Sequence, residues 1–144
     1  MTKCFEIEWL ELGTRVKAEL FEEKNPELCR VLWENMPYGG LQEHCLVTGE
    51  LMYVWVPIVT TVDTPYTERY CDMQPGRITY SIMTGQKYCI VYGRCTETLA
   101  APVVAQVLKE DLESLRNVGR AVAVNSFWTK GKITAWFKRL WSNG

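Results

Sequence analysis

The strongest constraint on the fold is a run of alternating side chains near the start of the chain. Arg15–Phe21 reads R-V-K-A-E-L-F, with apolar residues at every second position and charged residues between them. This period of two is typical of a strand with one buried face. A less regular alternation occupies Lys3–Leu10, and Gly13-Thr14 separates the two runs as a turn. The sequence therefore predicts an antiparallel hairpin and a mainly β fold.

Other short apolar runs predict more strands, and these occupy Leu41–Val47, Leu51–Val56, Ile58–Val62, Ile78–Met83, Lys87–Tyr92 and Arg120–Val124. Between them, Asp63–Gly76 contains two prolines and mixed charge, which predicts a long loop. Loops of this length in compact domains are often functional.

Three segments have apolar residues at helical spacing. Asn25-Pro26 predicts the start of the first helix, because asparagine can accept from the free N–H groups of the first turn and proline needs no donor there. Pro37 ends this helix, and a second is predicted from Pro102 to Val118. A third is predicted over Lys132–Trp141. Its apolar stripe comprises Ile133, Trp136, Phe137, Leu140 and Trp141.

The composition is that of one globular unit: 144 residues, 47% apolar and 23% charged. Met1–Glu11 carries three glutamates, unlike a signal peptide, and the apolar stretch Leu51–Val62 is shorter than the roughly 20 residues of a membrane span. We therefore expect a cytoplasmic protein. Six cysteines without a C-x-x-C pair predict reduced thiols, and the single histidine excludes a multi-histidine metal site. No metal or other cofactor is expected.

The charge is unevenly distributed. Residues 1–113 contain 17 acidic and 10 basic side chains, whereas residues 114–144 contain six basic side chains and no acidic one. The predicted third helix is both basic and apolar, so it could fold back onto the body of its own chain, dock on a neighbouring subunit or bind a membrane surface. We expect a homo-oligomer formed through this helix and regard membrane binding as the weaker alternative. Nucleic-acid binding is not expected, because strand aromatics do not interleave with the basic residues.

Two stretches resemble the cyclophilin-like superfamily. Val16–Pro37 is similar to the opening of these barrels, where a strand ends in an apolar-acidic turn and a helix begins with Asn-Pro or Ala-Pro. The second stretch resembles a small bacterial branch without a settled activity. Its motifs are His44, Thr48-Gly49-Glu50 before an aromatic strand to Trp55 and Pro57, Gln74–Tyr80, and Ile90–Gly93.

The resemblance covers residues 3–125 and implies a closed β-barrel of about eight strands with a helix over each open end. We therefore expect a barrel domain at 1–125 and a helical extension at 126–144. Cyclophilins proper use an arginine, a phenylalanine-rich groove and a Gly-Gly-Asp turn. Between Glu50 and Arg77 this chain has no F-M-x-Q-G-G-D stretch and only Arg69 in the loop, so prolyl isomerase activity is not expected.

His44 is the main catalytic candidate, because imidazole titrates near neutral pH and can act as an acid or a base. Neighbours on a regular strand point to opposite faces, so Glu43 and Cys45 are poor partners for it. Glu50, across the turn at Thr48-Gly49, is the expected partner. The structural alternatives are a histidine hydrogen-bonded beneath the barrel cap and a packed thiol at Cys45.

The expected ligand-binding residues are Trp55, Tyr80 and Tyr92 as walls and Arg94 as a carboxylate partner. The sequence thus favours a barrel that binds or hydrolyses a small polar amide, imide or carboxylate near His44. The alternative is a non-catalytic accessory or structural subunit that acts through its C-terminal helix.

Overall fold

A computed structural model describes residues 2–82 and 85–140. The strands are β1 (Cys4–Trp9), β2 (Thr14–Leu20), β3 (Tyr38–His44), β4 (Gly49–Trp55), β5 (Thr67–Arg69), β6 (Arg77–Ser81), β7 (Lys87–Cys95), β8 (Ala100–Val107) and β9 (Thr134–Leu140). The helices are α1 (Pro26–Asn35) and α2 (Leu112–Val124), and a π-helical turn at Asn125–Thr129 continues α2. In the part of the chain that the structure describes, no helix is long and apolar enough to span a bilayer.

Eight of the described strands form a closed antiparallel barrel in the order β2-β1-β9-β3-β4-β7-β6-β8, and pairing of β2 with β8 closes it. Closure leaves no free sheet edge within this ring. The short strand β5 pairs with the first residues of β8 outside the ring. The predicted closed barrel of about eight strands with two helices is therefore confirmed.

The predicted hairpin is formed by β1 and β2, which pair antiparallel with Ile7 opposite Val16. Gly13 adopts the left-handed conformation at the connection, with φ of 61°. The apolar side chains of both strands face the barrel interior, because alternate residues of a strand point to the same side.

The two helices close opposite ends of the barrel. Helix α1 lies at the end where β2 finishes and β8 begins, since Phe21 N–H donates to Val104 O and the Cys29 thiol to the same carbonyl. Helix α2 lies at the end where β2 begins, since Leu108 N–H donates to Lys17 O and Asp111 accepts from Lys17 N–H. Each helix buries one apolar stripe in the main core.

The helix predicted over Lys132–Trp141 is wrong for the residues described, because 134–140 form β9 between β1 and β3. Trp141 lies outside the described residues. Ile133, Ala135 and Phe137 are buried while Trp136 is 40% exposed, which is strand alternation and not a helical stripe. This segment therefore belongs to the barrel sheet and offers no helix for docking to a neighbour. Its Lys138 pairs with Glu8 of the same chain at 2.8 Å.

Three other sequence predictions are also corrected. Residues 100–107 form β8, so the second helix begins at Leu112 and not at Pro102, and Arg120–Val124 is part of that helix. Ile58–Val62 has no regular structure, and Met83 lies outside the described residues. The sequence of β8 resembles that of a helix because both faces of this strand are buried: Val104 faces the main core and Val103 faces an outer one. Periodicity cannot separate such a strand from a helix.

A second apolar cluster covers the outer face of the barrel. Leu51, Cys89, Val91 and Val103 project outward from β4, β7 and β8. A 3-10 turn at Tyr70–Asp72, in the segment predicted as a loop, places Tyr70 over them. The barrel therefore has buried side chains on both sides of part of its wall.

Candidate functional site

His44 ends β3 at the barrel end that α2 covers, and it is 7% exposed. Its Nδ1 lies 2.7 Å from Cys45 O, and its Nε2 lies 2.7 Å from the Tyr92 hydroxyl. A carbonyl oxygen can only accept, so neutral His44 carries its proton on Nδ1. Nε2 then accepts from Tyr92, and the two side chains form one hydrogen-bonded pair.

Tyr92 comes from β7 and packs against α2, while the π-helical turn packs against its partner His44. Gly119 of α2 lies so close that a Cβ there would overlap the Tyr92 ring. Phe127 makes an edge contact with the His44 ring, at 5.6 Å between centroids. Burial raises the pKa of Tyr92 to about 12, the Glu50 carboxylate also raises it, and Arg120 lowers it. Tyr92 is therefore a neutral hydroxyl at pH 7.

Glu50 lies beside this pair but does not have the predicted role of orienting His44. Its Oε1 accepts from the Arg94 backbone N–H at 3.0 Å, and it fills the space where a Cβ at Gly93 would be. The structure thus brings His44, Tyr92 and Glu50 to the same barrel end. Tyr92, expected as a wall, is the residue that hydrogen-bonds His44.

The other predicted binding residues do not join this group. Tyr80 is fully buried at the α1 end, where its hydroxyl donates to Val56 O and Ile58 O at 2.9 and 2.7 Å. Trp55 ends β4 on the outer face, is 48% exposed and contacts Tyr53. The Arg94 side chain is exposed. Trp55, Tyr80 and Tyr92 therefore do not form a common wall.

A surface cleft of about 350 Å³, the α2 cleft, reaches Tyr92 from outside. Pro75, Tyr92, Leu112, Glu113 and Arg116 line it. Glu113 and Arg116 are three residues apart on α2, so both side chains project from the same helix face. The helix predicted over 102–118 already contains both residues, but an acidic and a basic side chain on one helix face are typical of a solvated surface, and only the tertiary structure brings Tyr92 beside them. The E-x-x-R spacing was the available signal.

The six cysteines are free thiols. Burial raises the pKa of the Cys45 thiol, as it does for Cys89, and raises that of Cys95 to about 11. Such thiols are weak nucleophiles at neutral pH, which agrees with a packed Cys45. Over residues 2–82 and 85–140, no group of three or more His, Cys, Asp or Glu side chains is arranged to hold a metal ion.

Replacing Tyr92 by phenylalanine should lower the free energy of unfolding by about 1–3 kcal/mol, because it leaves buried Nε2 of His44 without its donor. Urea denaturation would measure this loss. The control is Tyr53→Phe, on the outer face of β4, which should change stability by less than about 0.5 kcal/mol. Equal losses in the two variants would show that the His44–Tyr92 bond contributes nothing specific.

No protein-family model and no curated protein matches the chain. Among the solved structures similar to it are McbB and AF2241. McbB, solved in complex with tryptophan, is 34% identical with a TM-score of 0.88 over 97% of this chain, which spans only 46% of McbB. The hypothetical protein AF2241 from Archaeoglobus fulgidus is 14% identical with a TM-score of 0.60, over 96% of this chain and 95% of its own. AF2241 supports the barrel fold alone, whereas McbB is similar in sequence as well, over about half its length.

Proposed function

We propose that this chain binds an aromatic amino acid such as tryptophan in the α2 cleft, with the His44–Tyr92 pair as the polar group at the inner end of the cleft. One observation carries the proposal. Tyr92 contacts buried His44 on one side and lines, on the other, a cleft that carries one carboxylate and one guanidinium.

The size and charges of the cleft suit such a ligand. Its volume of about 350 Å³ is within the range of small-molecule sites. Arg116 can bind a carboxylate through two parallel hydrogen bonds, and Glu113 can accept from an ammonium group. Leu112 and Pro75 supply apolar surface for the ligand side chain.

The similarity to McbB supports the same class of ligand. McbB was solved with tryptophan bound. The present chain is 34% identical to McbB over 97% of the present chain's own length. Because the chain spans 46% of McbB, binding of tryptophan by this part alone is our inference and not a property carried over.

His44 and Glu50 keep the acid–base role in this proposal, now through Tyr92. A neutral Tyr92 can give its proton to Nε2 of His44 while its oxygen accepts one from a bound ammonium or hydroxyl. Glu50, whose carboxylate acts on the Tyr92 hydroxyl, favours the protonated tyrosine. Kinship with the cyclophilin-like superfamily is likewise proposed, on the motifs around His44 and on the barrel.

Isothermal titration calorimetry with L-tryptophan tests the proposal. Arg116→Ala and Glu113→Ala should each weaken binding by about tenfold, since each removes one charged partner. Arg30→Ala is the matched control: this arginine lies on α1 at the other barrel end, its side chain is 59% exposed, and it pairs with Glu34 on its own helix. It should leave affinity within about twofold.

A comparison of L-tryptophan with tryptamine tests which charged group of the ligand contacts Arg116 and which contacts Glu113. Tryptamine lacks the carboxylate, so Arg116→Ala should not weaken its binding further, whereas Glu113→Ala should. Absence of L-tryptophan binding, or equal affinity in the Arg116→Ala and wild-type proteins, would refute the proposal.

A further inference from the structure

We propose that a second site, on the outer face of the barrel, binds an uncharged aromatic molecule of indole size. The site is a cavity of about 300 Å³, here called the outer cavity, between β5 and the start of β8. Its wall includes Thr67, Tyr70, Ile82, Leu99, Ala101 and Pro102. It shares no lining residue with the α2 cleft.

The lining determines the class of ligand. Among the described residues that line the outer cavity, none is charged, and the polar groups are hydroxyls such as that of Thr64. A zwitterion would lose its hydration there without gaining a charged partner, which is unfavourable. A neutral ring with a single N–H or carbonyl group could instead satisfy a hydroxyl and bury its apolar surface.

The cavity is held open by contacts that lie outside it. Asn25 is fully buried and bridges the covering segment to the barrel: its Nδ2 donates to Tyr66 O at 2.9 Å and to Val103 O at 2.7 Å, and its Oδ1 accepts from Tyr66 N–H at 3.1 Å. This asparagine was predicted to cap α1, but it makes no side-chain cap bond. Its bonds instead fix where β5 begins.

The opposite wall is fixed in the same way. The Tyr70 hydroxyl is hydrogen-bonded to the Thr79 hydroxyl at 2.8 Å, so its ring is held in place. Strand β5 pairs with β8 through Thr67 opposite Pro102. Small side chains on that stretch, Ala100 and Ala101, leave space that larger residues would fill. A cavity whose walls are anchored in this way is preorganised and needs little ordering when a ligand enters.

The test uses indole as the probe and the full chain, with binding followed by amide chemical shifts in two-dimensional NMR. Indole should shift the amides of β5 and the start of β8, and not those of α2. Thr67→Phe places a large side chain in the cavity from an exposed strand position and should weaken indole binding by about tenfold. Thr61→Phe, at an exposed threonine outside the lining, should leave affinity within about twofold.

A second variant covers the case in which Thr67→Phe does not fold. Leu99 is 54% exposed, and Leu99→Ala should weaken indole binding by removing apolar wall. The proposal is overturned if indole does not bind, if its shifts map to α2, or if neither folded variant changes its affinity. L-tryptophan should not compete with indole. If L-tryptophan does not bind the α2 cleft, the proposal for the outer cavity still stands. If indole does not bind the outer cavity, the proposal for the α2 cleft still stands.

Discussion

Replacing Phe137 by alanine is expected to remove about 3–5 kcal/mol from the free energy of unfolding, while alanine at the adjacent Trp136 should cost far less. Phe137 is fully buried and stacks on Tyr88 with 4.4 Å between ring centroids. It also contacts Tyr38 at 5.6 Å. Its removal leaves a cavity in the barrel interior that the surrounding strands cannot fill.

Trp136 is the matched control because it is the neighbouring large aromatic residue on the same strand. It is 40% exposed and lies on the outer face against Gly39. Guanidinium denaturation of the two variants measures the difference. A C-terminal amphipathic helix would bury both residues in one stripe, so equal losses would contradict the assignment of β9.

Raising the pH above about 10 is expected to destabilise the protein progressively, because its buried tyrosines resist ionisation. Burial raises the pKa of Tyr80 and of Tyr92 to about 12 each. Burial also raises the pKa of Tyr38, Tyr70 and Tyr88. In the unfolded chain each tyrosine ionises near its ordinary pKa of about 10.

The sign follows from proton binding. Between about pH 10 and 12 the unfolded state releases protons that the folded state retains, so unfolding becomes more favourable. The stabilisation is fully present below about pH 10 and is lost as the pH rises through the pKa values of the tyrosines in the folded protein. Tyr80 and Tyr92 together account for a loss of roughly 5 kcal/mol, at about 1.4 kcal/mol per pKa unit.

Parallel titrations followed by phenolate absorbance and by circular dichroism measure this effect. Phenolate formation by the buried tyrosines should coincide with loss of the β signal. In the Tyr80→Phe variant, the free energy of unfolding should fall less between neutral and alkaline pH than it does in the wild type. The difference should be about half of the loss attributed to Tyr80 and Tyr92 together. Complete ionisation near pH 10 with an unchanged fold would contradict the burial of these hydroxyls.

Part of the candidate site could be predicted from residue types and from the alternation of side chains along a strand. The sequence predicts functional roles for His44, Glu50 and Tyr92, and all three lie at one barrel end. Parity excluded Glu43 and Cys45 as partners of His44, and the hydrogen bond to Tyr92 agrees with that. The sequence did not predict a role for Glu113 and Arg116, because only the tertiary structure brings this helix face next to Tyr92.

Parity alone could not locate the predicted walls along the barrel axis. Tyr80 and Tyr92 both face inward, yet one lies under α1 and the other under α2. The register between β6 and β7 decides at which end each tyrosine lies. Tyr80 pairs with Tyr88, and Tyr88 lies four residues before Tyr92 on β7. Register is set by pairing across the whole ring, which no single strand encodes.

The sequence by itself determined the β1–β2 hairpin, the first helix and, through the cyclophilin-like resemblance, the closed barrel. The hairpin and the helix come from alternation, a proline start and turn glycines, all of which act over a few residues, whereas the closed barrel is what the resemblance implies. Only the tertiary structure decided that 100–107 and 134–140 are strands, since apolar residues there fit helical spacing equally well. The neighbours supply the reason: β8 is buried on both faces, and β9 gains hydrogen-bonding partners on both sides from β1 and β3.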